Sequence, residues 1–183
     1  MFKLSLKARL ILLTVMPVCL MALILFLFSA YRFKVLNEQE IANIREVMLT
    51  GKQSELKNYT DIAVNTMRPL FEQQGSEEDA VQRKQMAADI MNRFSFGSSD
   101  YVFILDYDGV VIAHRNQKLL GKSISDMQAS DGRFFIREMI ETAKQGSGYV
   151  SYEFEKAGKG AAAPKLSYIA GIENWNWLVG VGI

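Results

Sequence analysis

Histidine and cysteine each occur once in these 183 residues, as His114 and Cys19. One imidazole and one thiol cannot supply the ligand set of a zinc site, nor the thiol and base of a cysteine nucleophile. Cys19 lies in the longest apolar run, so the rest of the chain has no thiol and folds without disulfides, which permits an exported location. No Gly-x-Ser-x-Gly nucleophile elbow accompanies His114, so a hydrolase is not expected, and neither is any other enzyme. Excess charge of one sign is also missing. From Arg32 onward 18 basic residues face 20 acidic ones, which leaves no electrostatic footprint for nucleic acid.

Two short motifs fail on a missing glycine. "LLGKS", Leu119 to Ser123, ends like a phosphate-binding loop, but Asn116 stands where that loop needs glycine. "DYDG", Asp106 to Gly109, begins like a calcium loop, but Val111 and Gln117 occupy the positions of its glycine and its bidentate glutamate. No metal and no cofactor is therefore expected.

The chain does have a long apolar run. "LILLTVMPVCLMALILFLFSAY", Leu10 to Tyr31, has no charged side chain, and at about 1.5 Å per helical residue it spans roughly the 30 Å hydrocarbon thickness of a bilayer. A cleaved signal peptide is the competing reading. The run exceeds the roughly 7 to 15 apolar residues of such a peptide, and Phe28 stands where a cut after Ala30 would want a small residue. A retained transmembrane helix over 10–31 is expected. Lys3, Lys7 and Arg9 precede it and Arg32 and Lys34 follow, a slight bias toward a cytoplasmic 1–9 and an extracytoplasmic remainder from residue 32.

Beyond the anchor, Ile41, Ile44, Met48, Tyr59, Ile62 and Thr66 recur at helical steps, predicting a long helix over 33–68 that ends near Pro69. Such a helix packs partly on a second copy of the chain or lies bent on its own domain. A second helix is predicted over 76–93, capped by Ser76 with Asp79 in its first turn. "YVFILD" and "VVIAH" flank an Asp-Gly turn and read as a β-hairpin. A third helix over 131–144 follows, burying Phe135, Met139, Ile140 and Ala143. Then come three strands, "GYVSYEFE", "APKLSYIAG" and "WNWLVGVGI", the first two joined by the loop "KAGKGAAAP". This order predicts an α+β fold, an antiparallel sheet of about five strands with helices segregated to one side and one end.

Polar groups on these strands are the candidate site: Tyr101, His114, Tyr152, Lys165 and Tyr168. Each has an ordinary structural alternative: half-buried strand tyrosines, a solvated lysine, a satisfied histidine. Lys165 and Tyr168, three apart, share a face only if the strand is bulged.

The succession "DYVFILDYDGVVIAH…LLGKS", "DGRFFIREMIETAKQGSGYVSYEF", "PKLSYIAGIENWNWLVGVGI" resembles the single Cache sensor domain of bacterial methyl-accepting chemotaxis proteins and some sensor kinases. The resemblance implies a long N-terminal helix on a PAS-like antiparallel sheet that cups a small ligand, often a short organic acid. It implies ligand contacts from Tyr101, His114, Tyr152, Lys165 and Tyr168, whose hydroxyls and ammonium suit a carboxylate. Arg115 stands where the family usually has proline, and Ser95 where a basic residue is frequent, for which Arg93 is the candidate substitute. The length of the helix points to a homodimer, and the resemblance implies an inner (cell) membrane location with the sensor domain in the periplasm or outside the cell. Receptors of this kind continue through a second membrane helix into cytoplasmic modules. The expectation is therefore an excised part of a receptor, or a tethered sensor acting through another protein, with cytoplasmic chemotaxis signalling proteins as partners only if the chain continues beyond Ile183. Sensor regions of a histidine kinase or diguanylate cyclase, and a solute-binding module without signalling, are the alternatives.

Overall fold

The computed structural model describes residues 6–96, 100–155 and 162–182. The first five residues and most of the predicted "KAGKGAAAP" loop lie outside them. By its internal contacts the chain divides into Met1–Leu49 and Thr50–Ile183. Helix α1, Leu6–Phe71, supplies the whole described part of the first unit and opens the second.

In the first unit the side chains from Val15 to Phe28 stand exposed, including Leu20, Leu23, Phe26 and Leu27. A helix so apolar on every side is long and apolar enough to cross a membrane. The exposure extends through Ile41, Ile44, Val47 and Met48.

In the second unit α1 buries Leu56, Thr60, Ala63 and Met67, each at most 1% exposed. The predicted stripe of Tyr59, Ile62 and Thr66 is out of phase with this one. Ile62 and Thr66 face solvent and Tyr59 is half-buried. Thr60 can be the buried residue because its hydroxyl donates to the carbonyls of Leu56, at 2.9 Å, and Tyr168, at 3.3 Å. Hydropathy alone ranks isoleucine above threonine and so chooses the wrong face. The helix also runs past Pro69 to Phe71. A proline so near the end frees only the carbonyl of Asn65 and leaves little helix to break.

Helix α2, Glu77–Arg93, starts on a complete capping box: Ser76 Oγ accepts from the Asp79 N–H, and the Asp79 carboxylate accepts from the Ser76 N–H. A two-residue strand β1, Ser95–Phe96, pairs with β2, Asp100–Asp106, and was not anticipated. The turn after β2 is held by Asp106 Oδ1, which accepts from the N–H groups of Asp108 and Val110. Gly109 completes it with φ +80°, and a Cβ there would lie 2.8 Å from Ser125 Cβ. Strand β3 is only Val111–Ala113, bulged against Ile104 and Leu105, so His114 stands just beyond its end.

Helix α3, Phe135–Lys144, begins four residues later than expected. The segment ahead of it is a turn, with the Gly132 N–H on the Ala129 carbonyl and the Arg133 guanidinium on Asp131. Strands β4, Ser147–Glu155, β5, Ala162–Ile172, and β6, Trp177–Gly182, complete the sheet. Its order is β1–β2–β6–β5–β4, with β3 also paired to β2, antiparallel throughout.

The helices are not confined to one side. Val102, Ile104, Trp177, Val179 and Val181 pack on α1 and α2, while Phe103, Leu105, Leu178, Ile169 and Val150 pack on α3. The central strands are apolar at consecutive positions, and a sheet of that kind needs cover on both faces. Gly180 keeps the α3 face smooth, since a Cβ there would meet the Phe103 ring at 2.3 Å.

Candidate functional site

Strand alternation decides which candidate residues meet. Tyr152 on β4 pairs directly with Lys165 on β5, and Ser167 lies two residues on, so all three share the α3 face. Tyr101 is two residues before Phe103 on β2 and packs on the same side. His114, released from β3, sets its ring edge-on to Tyr101 with centroids 4.8 Å apart. Four separate elements thus bring Tyr101, His114, Tyr152 and Lys165 together.

Each group is held by named neighbours. The Tyr152 ring stacks on Phe135 at 4.4 Å, and its hydroxyl bonds the buried Ser167 hydroxyl at 3.2 Å. The Lys165 ammonium lies 5.5 Å from the Phe154 ring centroid. His114 Nδ1 accepts the Asn116 N–H at 2.8 Å, while its own backbone N–H donates to Asn92 Oδ1 at 3.2 Å.

The electrostatics keep the site rich in neutral donors beside a cation. Burial raises the Tyr101 hydroxyl above its ordinary value, partly offset by the Arg115 charge. Burial likewise raises Tyr152, against the opposing bond from Ser167. Burial lowers His114, and the Lys165 charge reinforces this. At neutral pH the cluster presents tyrosine hydroxyls, a neutral imidazole and an ammonium, which together suit an anionic oxygen. Among the described residues no group of three or more His, Cys, Asp or Glu is placed to hold a metal.

Two predicted contacts stand apart. Strand β5 keeps an unbroken register with β4, so Tyr168 projects to the opposite face. There it is 7% exposed, its hydroxyl donates to Ser147 Oγ at 3.0 Å, and its ring lies 4.7 Å from that of Tyr149. Arg93 is exposed at the end of α2 and lines a groove of about 450 Å³ with Gln85, Asp89, Asn92 and Gln117. Asn92 in the same groove holds the His114 backbone. Ser167 is the residue that sequence reasoning passed over as a site member. Its signal was positional, two residues from Lys165 on a strand. Arg115, noted only for replacing a proline, is close enough to act on the Tyr101 hydroxyl.

Known proteins resemble this chain along its length. It is 31% identical over 180 residues to the sensor histidine kinase MctS of Rhizobium johnstonii, covering 98% of this chain and 39% of that protein. It is 27% identical to the methyl-accepting chemotaxis protein CtpM of Pseudomonas aeruginosa, covering 100% of this chain and 33% of that one. The chain thus spans well under half the length of these relatives. A crystal structure of a methyl-accepting chemotaxis protein from Vibrio parahaemolyticus superposes with a TM-score of 0.68 at 28% identity, covering 79% of this chain and 95% of the other. A Cache chemosensory domain solved for its recognition of carboxylic acids superposes with a TM-score of 0.65 at 25% identity, covering 75% and 96%. Residues 48–183, which hold the sheet, all three site strands and the sheet-packed part of α1, match the family description "Single Cache domain 2", and the chain belongs to that family.

Proposed function

We infer that this chain is the membrane-anchored, extracytoplasmic ligand-sensing region of a chemotaxis receptor, and that its ligand is a short carboxylate. The observation that carries the reading is the convergence of Tyr101, His114, Tyr152 and Lys165 from four elements on one sheet face. The Cache domain whose structure concerns carboxylic acid recognition supports the ligand class. The family match and the carboxylic acid-recognising Cache relative support a region that senses rather than catalyses.

Signalling follows from β5 having two faces. Lys165 and Ser167 meet the ligand on one, and the next residue, Tyr168, offers its carbonyl to the Thr60 hydroxyl of α1 on the other. A ligand that favours one position of β5 thereby biases two pre-existing positions of α1. A second copy pairs along α1, where Ile41, Ile44, Val47 and Met48 are exposed. Signalling through a histidine kinase is the second reading, favoured by the 31% identity to MctS against 27% to CtpM.

A thermal-shift screen of the detergent-solubilised chain against acetate, propionate, lactate, pyruvate, amino acids and purines tests this. The short acids should raise the melting temperature. Stabilisation by none of them, together with turnover of an ester, would overturn the sensor reading.

A further inference from the structure

His114 differs from the other cluster donors in that the backbone chooses its chemistry. Its Nδ1 accepts the Asn116 N–H at 2.8 Å, in the tight step between the end of β3 and the 3-10 turn Gln117–Leu119. An imidazole nitrogen that accepts a hydrogen bond carries no proton, so the proton of the neutral ring sits on Nε2. Tyr101 meets the ring edge-on, and Asn92 holds the residue's own N–H, so ring position as well as tautomer is set by protein contacts. No described residue bonds Nε2.

We propose that Asn116 is a positioning residue whose backbone amide locks His114 as a fixed Nε2–H donor, so that the site selects an oxygen acceptor, carboxylate or carbonyl, at that point. This rests on the reading of the cluster as a carboxylate site. An imidazole free to exchange tautomers could turn an acceptor toward the ligand and admit an ammonium or amide N–H there. The locked ring excludes that. The groups facing His114 agree with a neutral ring: Lys165 from β5 and Arg115 beside it are cationic, and Tyr101 from β2 is a neutral hydroxyl.

Because His114 is the only histidine, 15N-histidine labelling of the full chain in detergent reports this ring alone. Ligand-free protein above neutral pH should show an unprotonated Nδ1 and a protonated Nε2, and propionate should shift the Nε2 resonance while leaving Nδ1 in place. Asn116→Pro deletes the amide hydrogen at a residue whose φ of −83° is near the range proline imposes. It should give mixed tautomers and weaken propionate about tenfold. Asn116→Ala keeps the amide and loses only the side-chain bond to the Lys118 N–H, so it should match wild type in both measurements. A protonated Nδ1 in wild type, movement of Nδ1 on adding propionate, or an Asn116→Pro spectrum identical to wild type overturns the proposal. If propionate fails to bind while the ligand-free spectrum is as expected, the carboxylate reading falls and the tautomer assignment stands.

Discussion

On the α3 face of β5, Lys165 and Ser167 sit beside Tyr152, Tyr101 and His114; on the α1 face of the same strand, Tyr168 sits beside Thr60, Ser147 and Lys57. Both faces therefore collect tyrosine, serine and lysine. The α1 face directs its hydroxyls into the fold, Thr60 to the Tyr168 carbonyl and Tyr168 to Ser147. The α3 face gathers donors from four elements around one cation and a neutral imidazole. Residue type alone does not distinguish the two faces. What separates them is that the polar groups of the α3 face come from four elements and face one another.

The largest effect that tests this contrast is on stability. Leu56→Ala removes a side chain 1% exposed under the α1 face and should cost about 2–5 kcal/mol, seen as a lower melting temperature, while a propionate-induced rise remains. Loss of that rise would mean the two faces are not separable. Lys165→Ala should do the reverse, weakening propionate by about 1.5–3 kcal/mol with little change in ligand-free melting. A large loss of ligand-free stability would make Lys165 structural.

Tyr168→Phe deletes only the bond to Ser147 and should cost about 1 kcal/mol of stability, leaving propionate affinity unchanged in a calorimetric titration. A weakened affinity would bring Tyr168 back into the site.

The smallest effect concerns His114. Burial lowers its folded pKa below the ordinary value of about 6.5, so between the two values the unfolded chain holds a proton that the native chain lacks. Its contribution to stability is full above about pH 6.5 and is lost as pH falls toward the lower folded value. Ligand-free melting temperatures of His114→Gln should lack this part of the acid-side decline. An identical pH profile would mean the imidazole titrates alike folded and unfolded.

Local signals in the sequence translated directly. Ser76 and Asp79 form their capping box because both bonds close within one turn, and Asp106 with Gly109 forms the hairpin turn for the same reason. Longer signals shifted. The stripe of α1 is one residue out of phase with its isoleucines because Thr60 found a strand carbonyl to bond. Of the candidate site, Tyr101, His114, Tyr152 and Lys165 come together, while Tyr168 and Arg93 do not. Tyr168 was undecidable from spacing alone, since it depended on whether β5 was bulged, and β5 is regular.

By itself the sequence determined an apolar helix long enough for a membrane, an α+β domain of the Cache type, and a chain with one imidazole and one thiol. Those properties depend on composition and on neighbours a few residues away. The tertiary structure alone decided that helices cover both faces of the sheet, that Ser167 rather than Tyr168 stands beside Lys165, and that a backbone amide holds one nitrogen of His114. The choice of Ser167 depends on strand register, which brings together residues distant in the chain, since a shift of one residue would turn every side chain of β5 to the other face; the His114 bond is local, but it needs the backbone of the turn after β3 that residue type does not reveal.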